Sequence, residues 1–200
     1  MIERAPKASA ASTAIIERHP RLWAAISADA RICASHRAER FEFRGRVDTA
    51  LQALRLALVT DAFLAQCCYR AKARAQQLGI PVVPRLLHRC AIVLGQIAIG
   101  DPVVMAAGVY IPHGQVVVDG ITEIGKGVVL FPFVNVGLKE GDFRGPTVEA
   151  RAVIGTGAKV LGPVRIGARA KVGANAVVVA DVPAGATAVG VPAVVREQHR

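Results

Sequence analysis

Branched aliphatic side chains recur every six residues through the second half of this chain, at Val118, Ile124, Leu130, Val136, Val148, Ile154, Val160, Ile166, Val172 and Val178. The one double step runs from Val136 to Val148. Four residues after most anchors stands a small or branched residue: Thr122, Val128, Val134, Ala152, Ala158, Val164, Ala170 or Ala176. A helix repeats every 3.6 residues and a strand every two, so neither yields a period of six. A short strand plus a turn does, and three such hexads close one triangular coil of about 18 residues. The predicted fold is therefore mainly β, a left-handed parallel β-helix of hexapeptide repeats with the anchors stacked in its interior. Between Ile99 and Val189 there is room for about five coils.

Two irregularities mark where a site can open. An earlier frame, Ile99, Met105, Ile111 and Val117, is offset by one residue, which places a slip in the winding just after His113. The double step holds GLKEGDFRGPT, residues 137–147, six residues more than a coil needs. That excess must bulge outward, and loops on a rigid scaffold are where sites tend to be built.

Before residue 95 the apolar pattern is helical and glycine is scarce. Residues 19–41 read as one amphipathic helix with Pro20 in its first turn. Residues 48–79 read as one long or two shorter helices, with Asp48 a candidate N-cap and Gly79 a candidate C-cap. Residues 84–96 read as a further short helix. The expected division is a mobile N-terminus over 1–19, a helical domain over 20–95, the β-helix over 96–196 and a tail over 197–200.

Charge is uneven. Residues 1–95 carry 15 Lys and Arg against seven Asp and Glu, and residues 96–200 carry ten against eight. The basic residues are scattered among apolar ones without a helix-turn-helix, zinc-finger or RNA-binding signature, so nucleic acid is not an expected partner. The four cysteines, Cys33, Cys67, Cys68 and Cys90, show no metal-ligand spacing and read as buried free thiols of a reducing cytoplasm. No apolar run reaches the length of a membrane span, and no continuous apolar stretch at the start suggests a signal peptide.

Of five histidines, only His113 falls in the coils, between Pro112 and Gly114 at the slip. An imidazole is suited to accept a hydroxyl proton near neutral pH. The residues alone leave a solvated turn histidine open beside that role. Asp119 is either an orienting carboxylate for His113 or a turn residue beside Gly120. A metal-dependent hydratase on this fold needs three histidines around its ion. Residues 96–200 hold only His113 and His199, so no metal site is expected.

Three stretches carry a family likeness: IAIGDPVVMAAGVYIPHGQVVV, the closing coils from IGTGAKVLGPVRIG to VPAGATAVGVPAVV, and a preceding helical region of matching size. Together they resemble the serine O-acetyltransferases of the hexapeptide-repeat acyltransferase family over roughly residues 20–196. The resemblance implies acetyl transfer from acetyl-CoA to the hydroxyl of a small amino acid, with a place in cysteine biosynthesis and with His113 as general base. Alternatives are an O- or N-acetyltransferase with a sugar or secondary-metabolite acceptor, or a non-catalytic assembly module. The family's Asp before the base is Pro112 here, and its loop histidine is missing, although Gly141, Asp142 and Arg144 remain. Arg144 is then the candidate clamp for the acceptor carboxylate. Leu138, Thr156 and Ala174 match positions that line the CoA edge and, each one regular coil after the last, are expected to stack on it. Lys159 and Lys171 are candidates for the cofactor phosphates. The resemblance also implies a homotrimer, or a dimer of trimers, with sites between subunits. Some members dock a partner enzyme through a C-terminal isoleucine; this sequence ends in Arg200, so that complex is not expected.

Overall fold

The computed structural model describes residues 18–196; most of the N-terminal stretch expected to be mobile, and the tail 197–200, lie outside the described residues. Four helices come first: α1 (Leu22–His36), α2 (Gly45–Val59), α3 (Phe63–Gln77) and α4 (Val83–Gly95). Helix α1 is shorter than its apolar pattern suggests. Pro20 precedes the first helical residue by two. At the other end Ala38 takes a left-handed conformation, φ 55°, and the Glu39 N–H bonds back to the Ala34 carbonyl at 2.9 Å. That closing turn stops the helix before the charged run 37–40. Residues 48–79 form two helices, because Thr60 turns extended and its hydroxyl bonds the Leu56 carbonyl at 2.7 Å. Asp48 lies inside the first turn of α2 rather than at its cap and accepts the Arg44 N–H at 2.6 Å. Gly79 follows the end of α3 at φ 64°, as a terminating glycine should.

From Ile97 onward the chain winds through three sheets. Sheet A holds β1 (Ile97–Ile99), β3 (Val116–Val118), β6 (Asn135–Gly137), β9 (Lys159–Leu161) and β12 (Val177–Val178), in that order. Sheet B holds β2 (Val104–Met105), β4 (Ile121–Ile124), β7 (Arg144–Val148) and β10 (Arg165–Ile166). Sheet C holds β5 (Val129–Leu130), β8 (Val153–Ile154), β11 (Lys171–Val172), β13 (Thr187–Val189) and β14 (Val194–Arg196). All pairings are parallel except β13 with β14. This is the three-sided β-helix that the six-residue period calls for, five strands deep in sheet A. Every anchor from Val118 to Val178 is at most 2% exposed.

The register reveals where the coils depart from three even hexads. Ile99 pairs with Val118, one position later than a regular coil would place its partner, so the early frame runs Ile99, Met105, Ile111 and then Val118. Val117 is not part of it; its side chain is 41% exposed on the outside of sheet A. The extra residue falls at His113–Gln115. Val136 pairs with Val160, a whole hexad later than a regular coil would allow, which accommodates the excursion between β6 and β7, so the loop expected over 137–147 is confined to residues 138–143.

Helix α3 seals the open end of the solenoid. The first coil has no strand above it, so its outward carbonyls need other partners. Lys72 donates to Ile99 at 2.6 Å, Tyr69 to Val103 at 3.0 Å and Gln66 to Val109 at 2.9 Å. Arg70 donates to Met105 and Ala106, both at 2.7 Å. Its guanidinium also grips Asp29 of α1 at 2.8 and 3.1 Å, and Asp29 in turn accepts the N–H groups of Gly108 and Val109. Ala62 of the α2–α3 break, Ala65 and Tyr69 of α3 and Ala91 of α4 pack into the same core as the coil anchors.

Beside this junction His19 is buried with neither ring nitrogen hydrogen-bonded, against the edge of Tyr69. Burial first, then the charges of Arg70 and Lys72, push its pKa down to about 4. The unfolded chain therefore takes up a proton first, so stability present above about pH 6.5 is lost as pH falls toward 4. In urea titrations the wild type should lose on the order of 2–3 kcal/mol across that window, and His19→Leu should lose correspondingly less. Equal losses would refute the assignment.

Cys33 is buried and Cys67 and Cys68 half-buried, but Cys90 is exposed, contrary to expectation. Burial pushes the Cys33 and Cys67 thiols up to about 11 and 12. No helix among the described residues is long and apolar enough to cross a membrane.

Candidate active site

The winding slip brings three segments together at the corner between sheets C and A. Gly95 ends α4, and a Cβ there would sit 2.7 Å from Ala65 and 3.1 Å from the Asp61 carbonyl. Gly114 abuts Gly95 in turn; a Cβ on Gly114 would collide with the Gly95 carbonyl oxygen. Two glycines thus allow the α2–α3 break to lie directly against the turn that carries His113. The left-handed residue of that turn is Gln115, φ 62°, while Gly114 serves close approach. Around it lies a cleft of about 460 Å³, bordered by Asp61, Leu94, His113, Gln115 and Phe133.

Asp61 is the residue that sequence reasoning missed. Its Oδ2 lies 2.7 Å from His113 Nδ1, and both side chains are well exposed to the cleft. A carboxylate can only accept this bond, so Nδ1 carries the shared proton, and in the neutral ring the Nε2 lone pair is then the one available as a base. The sequence offered a hint: an acid, TDAF, at the interruption between two helical runs. Nothing in its spacing connects it to a histidine so far along the chain.

Asp119 does not orient the imidazole. It lies at the corner between sheets A and B, where its carboxylate accepts the Gly120 N–H at 2.7 Å in the turn role. Asp142, in the loop after β6, and Arg144, the first residue of β7, lie at that same A–B corner. The Arg144 fork holds Asp142 at 2.8 to 3.2 Å and keeps its carboxyl below the usual range. In one chain, then, sheet A separates Arg144 from His113.

Thr156 and Ala174 do share an edge, the C–A corner below His113: the Asn175 N–H bonds the Thr156 carbonyl at 2.8 Å, and the Gly157 N–H bonds Pro132 at 2.9 Å. Leu138 is not on that edge. Because the loop lengthens this coil by a hexad, the position above Thr156 is Pro132. Leu138 stacks on Gly120 at the A–B corner instead, beside the Gly137 carbonyl that accepts the Gly162 N–H. Lys159 spends two donors on the Phe133 and Gly157 carbonyls, at 2.9 and 3.0 Å, along the Thr156 edge. Lys171 is exposed on sheet C. No group of three His, Cys, Asp or Glu suited to a metal occurs among the described residues.

With this geometry in view, likeness to known proteins becomes decisive. The model for bacterial transferase hexapeptide (six repeats) matches residues 145–180. The chain is 36% identical over 150 residues to a serine acetyltransferase of Synechococcus elongatus, covering 74% of this chain and 62% of that one. It is 39% identical over 130 residues to the serine acetyltransferase of Helicobacter pylori strain J99, covering 63% of this chain and 75% of that one. The chain belongs to the serine acetyltransferase family. It spans less than two thirds of the length of the Synechococcus relative. A solved serine acetyltransferase in complex with CoA superimposes with a TM-score of 0.70 at 26% identity, over 86% of this chain and 68% of that one. The family's β-helix and preceding helices are thus both present here.

Proposed function

We propose that the chain transfers an acetyl group from acetyl-CoA to the hydroxyl of serine or a closely related small amino acid. The observation that carries this reading is the Asp61–His113 pair in the cleft at the winding slip. His113 Nε2 takes the proton of the acceptor hydroxyl, and the oxygen attacks the thioester carbonyl. The tetrahedral intermediate collapses with loss of the CoA thiolate, which recovers the proton from His113. Asp61 holds the ring in the reactive tautomer and faces the imidazolium while it is charged. Backbone N–H groups along the C–A corner are the donors suited to the oxyanion, because they are fixed before reaction. The extended pantetheine arm of CoA fits the Thr156–Ala174 edge, with Lys159 at hand for phosphate; a relative that binds CoA supports this co-substrate.

The carboxylate clamp Arg144 lies one corner away from His113. A cyclic homotrimer that sets the C–A corner of one protomer against the A–B corner of the next would complete the site, and this is the assembly we propose. Arg144 then exchanges Asp142 for the acceptor carboxylate. The helical segment 20–95 supplies Asp61, so we propose that it acts with the coils as one catalytic unit.

Thiol release from acetyl-CoA, measured side by side with serine, homoserine and threonine, tests the proposal. Turnover with serine is expected to exceed that with the other two. Absence of release with every hydroxy amino acid, alongside activity on a sugar hydroxyl, would overturn it.

A further inference from the structure

A second concavity, of about 1050 Å³, lies between α1 and the B–C corner, away from His113. Four cations line it: Arg31 from α1, and Lys126, Arg151 and Arg169 from three successive coils. None of the four takes part in an ion pair among the described residues. The nearby carboxylates are committed elsewhere. Glu149 pairs with Arg165 and accepts the Ala168 N–H, and Asp29 is buried against Arg70.

The coil stacking concentrates this charge. The Arg151 N–H bonds the Lys126 carbonyl and the Arg169 N–H bonds the Ala150 carbonyl, so the three cations sit on adjacent rungs. Like charges on neighbouring rungs repel. Arg151 and Arg169 also hold left-handed backbone, φ 62° and 59°, at a turn position that Gly108, Gly127 and Gly185 fill in other coils. Glycines on the preceding rungs leave space for two of these side chains: Arg151 Cγ passes 3.1 Å from where a Cβ on Gly127 would lie, and Lys126 Cγ passes 3.8 Å from that point on Gly108. On the α1 side Ala28 and Ile32 add apolar surface beside Arg31 and Ser35, and Phe41, 47% exposed, also lines the groove.

We infer that this groove binds a polyphosphorylated small molecule with a planar apolar part, the class of a nucleoside triphosphate, at a site separate from the acetyl-transfer cleft. The volume suits one small ligand. Four cations without an ion-pair partner match three to four phosphate charges, and three of them are arginines, whose forks bind phosphate oxygens in pairs. Phe41 offers a face for a base. The inference does not rest on the acetyl-transfer reading.

Calorimetric titration of the full chain with ATP, tripolyphosphate, adenosine and CoA tests it. ATP is expected to bind one per chain, more tightly than tripolyphosphate and far more tightly than adenosine, with affinity falling steeply as salt rises. Arg151→Ala with Arg169→Ala should weaken ATP on the order of 10- to 100-fold. Phe41→Ala should weaken ATP while leaving tripolyphosphate unchanged. Saturating CoA should leave ATP binding intact, and the double variant should keep wild-type thiol release. The inference fails if the double variant binds ATP as the wild type does, or if tripolyphosphate matches ATP, which would mean charge attraction alone. It fails equally if CoA displaces ATP and the double substitution weakens both, which would make the groove part of the acetyl-donor site.

Discussion

His113→Ala should lower thiol release from acetyl-CoA in the presence of serine by about 10²- to 10⁴-fold, the usual contribution of a positioned general base. Binding of CoA itself should change little, because the edge proposed for it, at Thr156 and Ala174, does not include the imidazole. The companion substitution Asp61→Asn separates positioning from bulk. It retains the shape at 2.7 Å from Nδ1 but removes the charge that faces the imidazolium. Turnover should fall on the order of 10- to 100-fold with the KM for acetyl-CoA unchanged. A structural role alone would instead move stability and leave turnover intact. Wild-type turnover in His113→Ala would eliminate the histidine as base.

The largest effect on stability is expected at Asp29 and Arg70. Both side chains are nearly inaccessible, at 1% and 2% exposure, and each is bound on two sides. Arg70→Ala strands a buried carboxylate and frees the Met105 and Ala106 carbonyls; the expected loss is about 3–5 kcal/mol. Replacing both members of a buried ion pair with apolar residues is often harmless elsewhere. Here it should not be. Asp29→Leu with Arg70→Met would leave two backbone N–H groups and two carbonyls of the first coil without partners, at about 1–3 kcal/mol each. Chemical denaturation of the single and double variants distinguishes the cases. A double variant as stable as the wild type would show that α3 does not seal the solenoid through these bonds.

The outcome also bears on how function reaches the coils. Pro112 stands where the resemblance called for a carboxylate beside the proposed base. The structure supplies a carboxylate from the helical segment instead, through the break at Thr60–Ala62 and the glycine contact between Gly95 and Gly114. The seal made by α3 and the Asp61–His113 bond are therefore two consequences of one docking. A variant that loosens α3 should lose activity before the coils unfold.

Much of the fold was legible from residue spacing. A six-residue period leaves a chain few options, because only a coil of three short strands buries each sixth side chain in one column. That period placed the anchors from Val118 to Val178 inside, marked 137–147 as an interruption, and located the slip that presents His113. Its last assignment, Val117, failed for a simple reason: adjacent valines at 116, 117 and 118 cannot be told apart by hydrophobicity, and only strand pairing decides which face inward. Leu138 was misplaced in the same way, because counting in regular coils ignores the one that the loop lengthens by a hexad.

What the sequence by itself determined is the solenoid, its interior and the histidine at its irregular turn, all of which follow from local periodicity. What only the tertiary structure decided is which charged groups meet. Asp61 finds His113, Asp29 finds Arg70, and four cations gather over one corner, because helices packed on a coil bring together residues tens of positions apart. A hydrogen bond is set by position to within a few tenths of an ångström, and no periodicity in the chain encodes that distance.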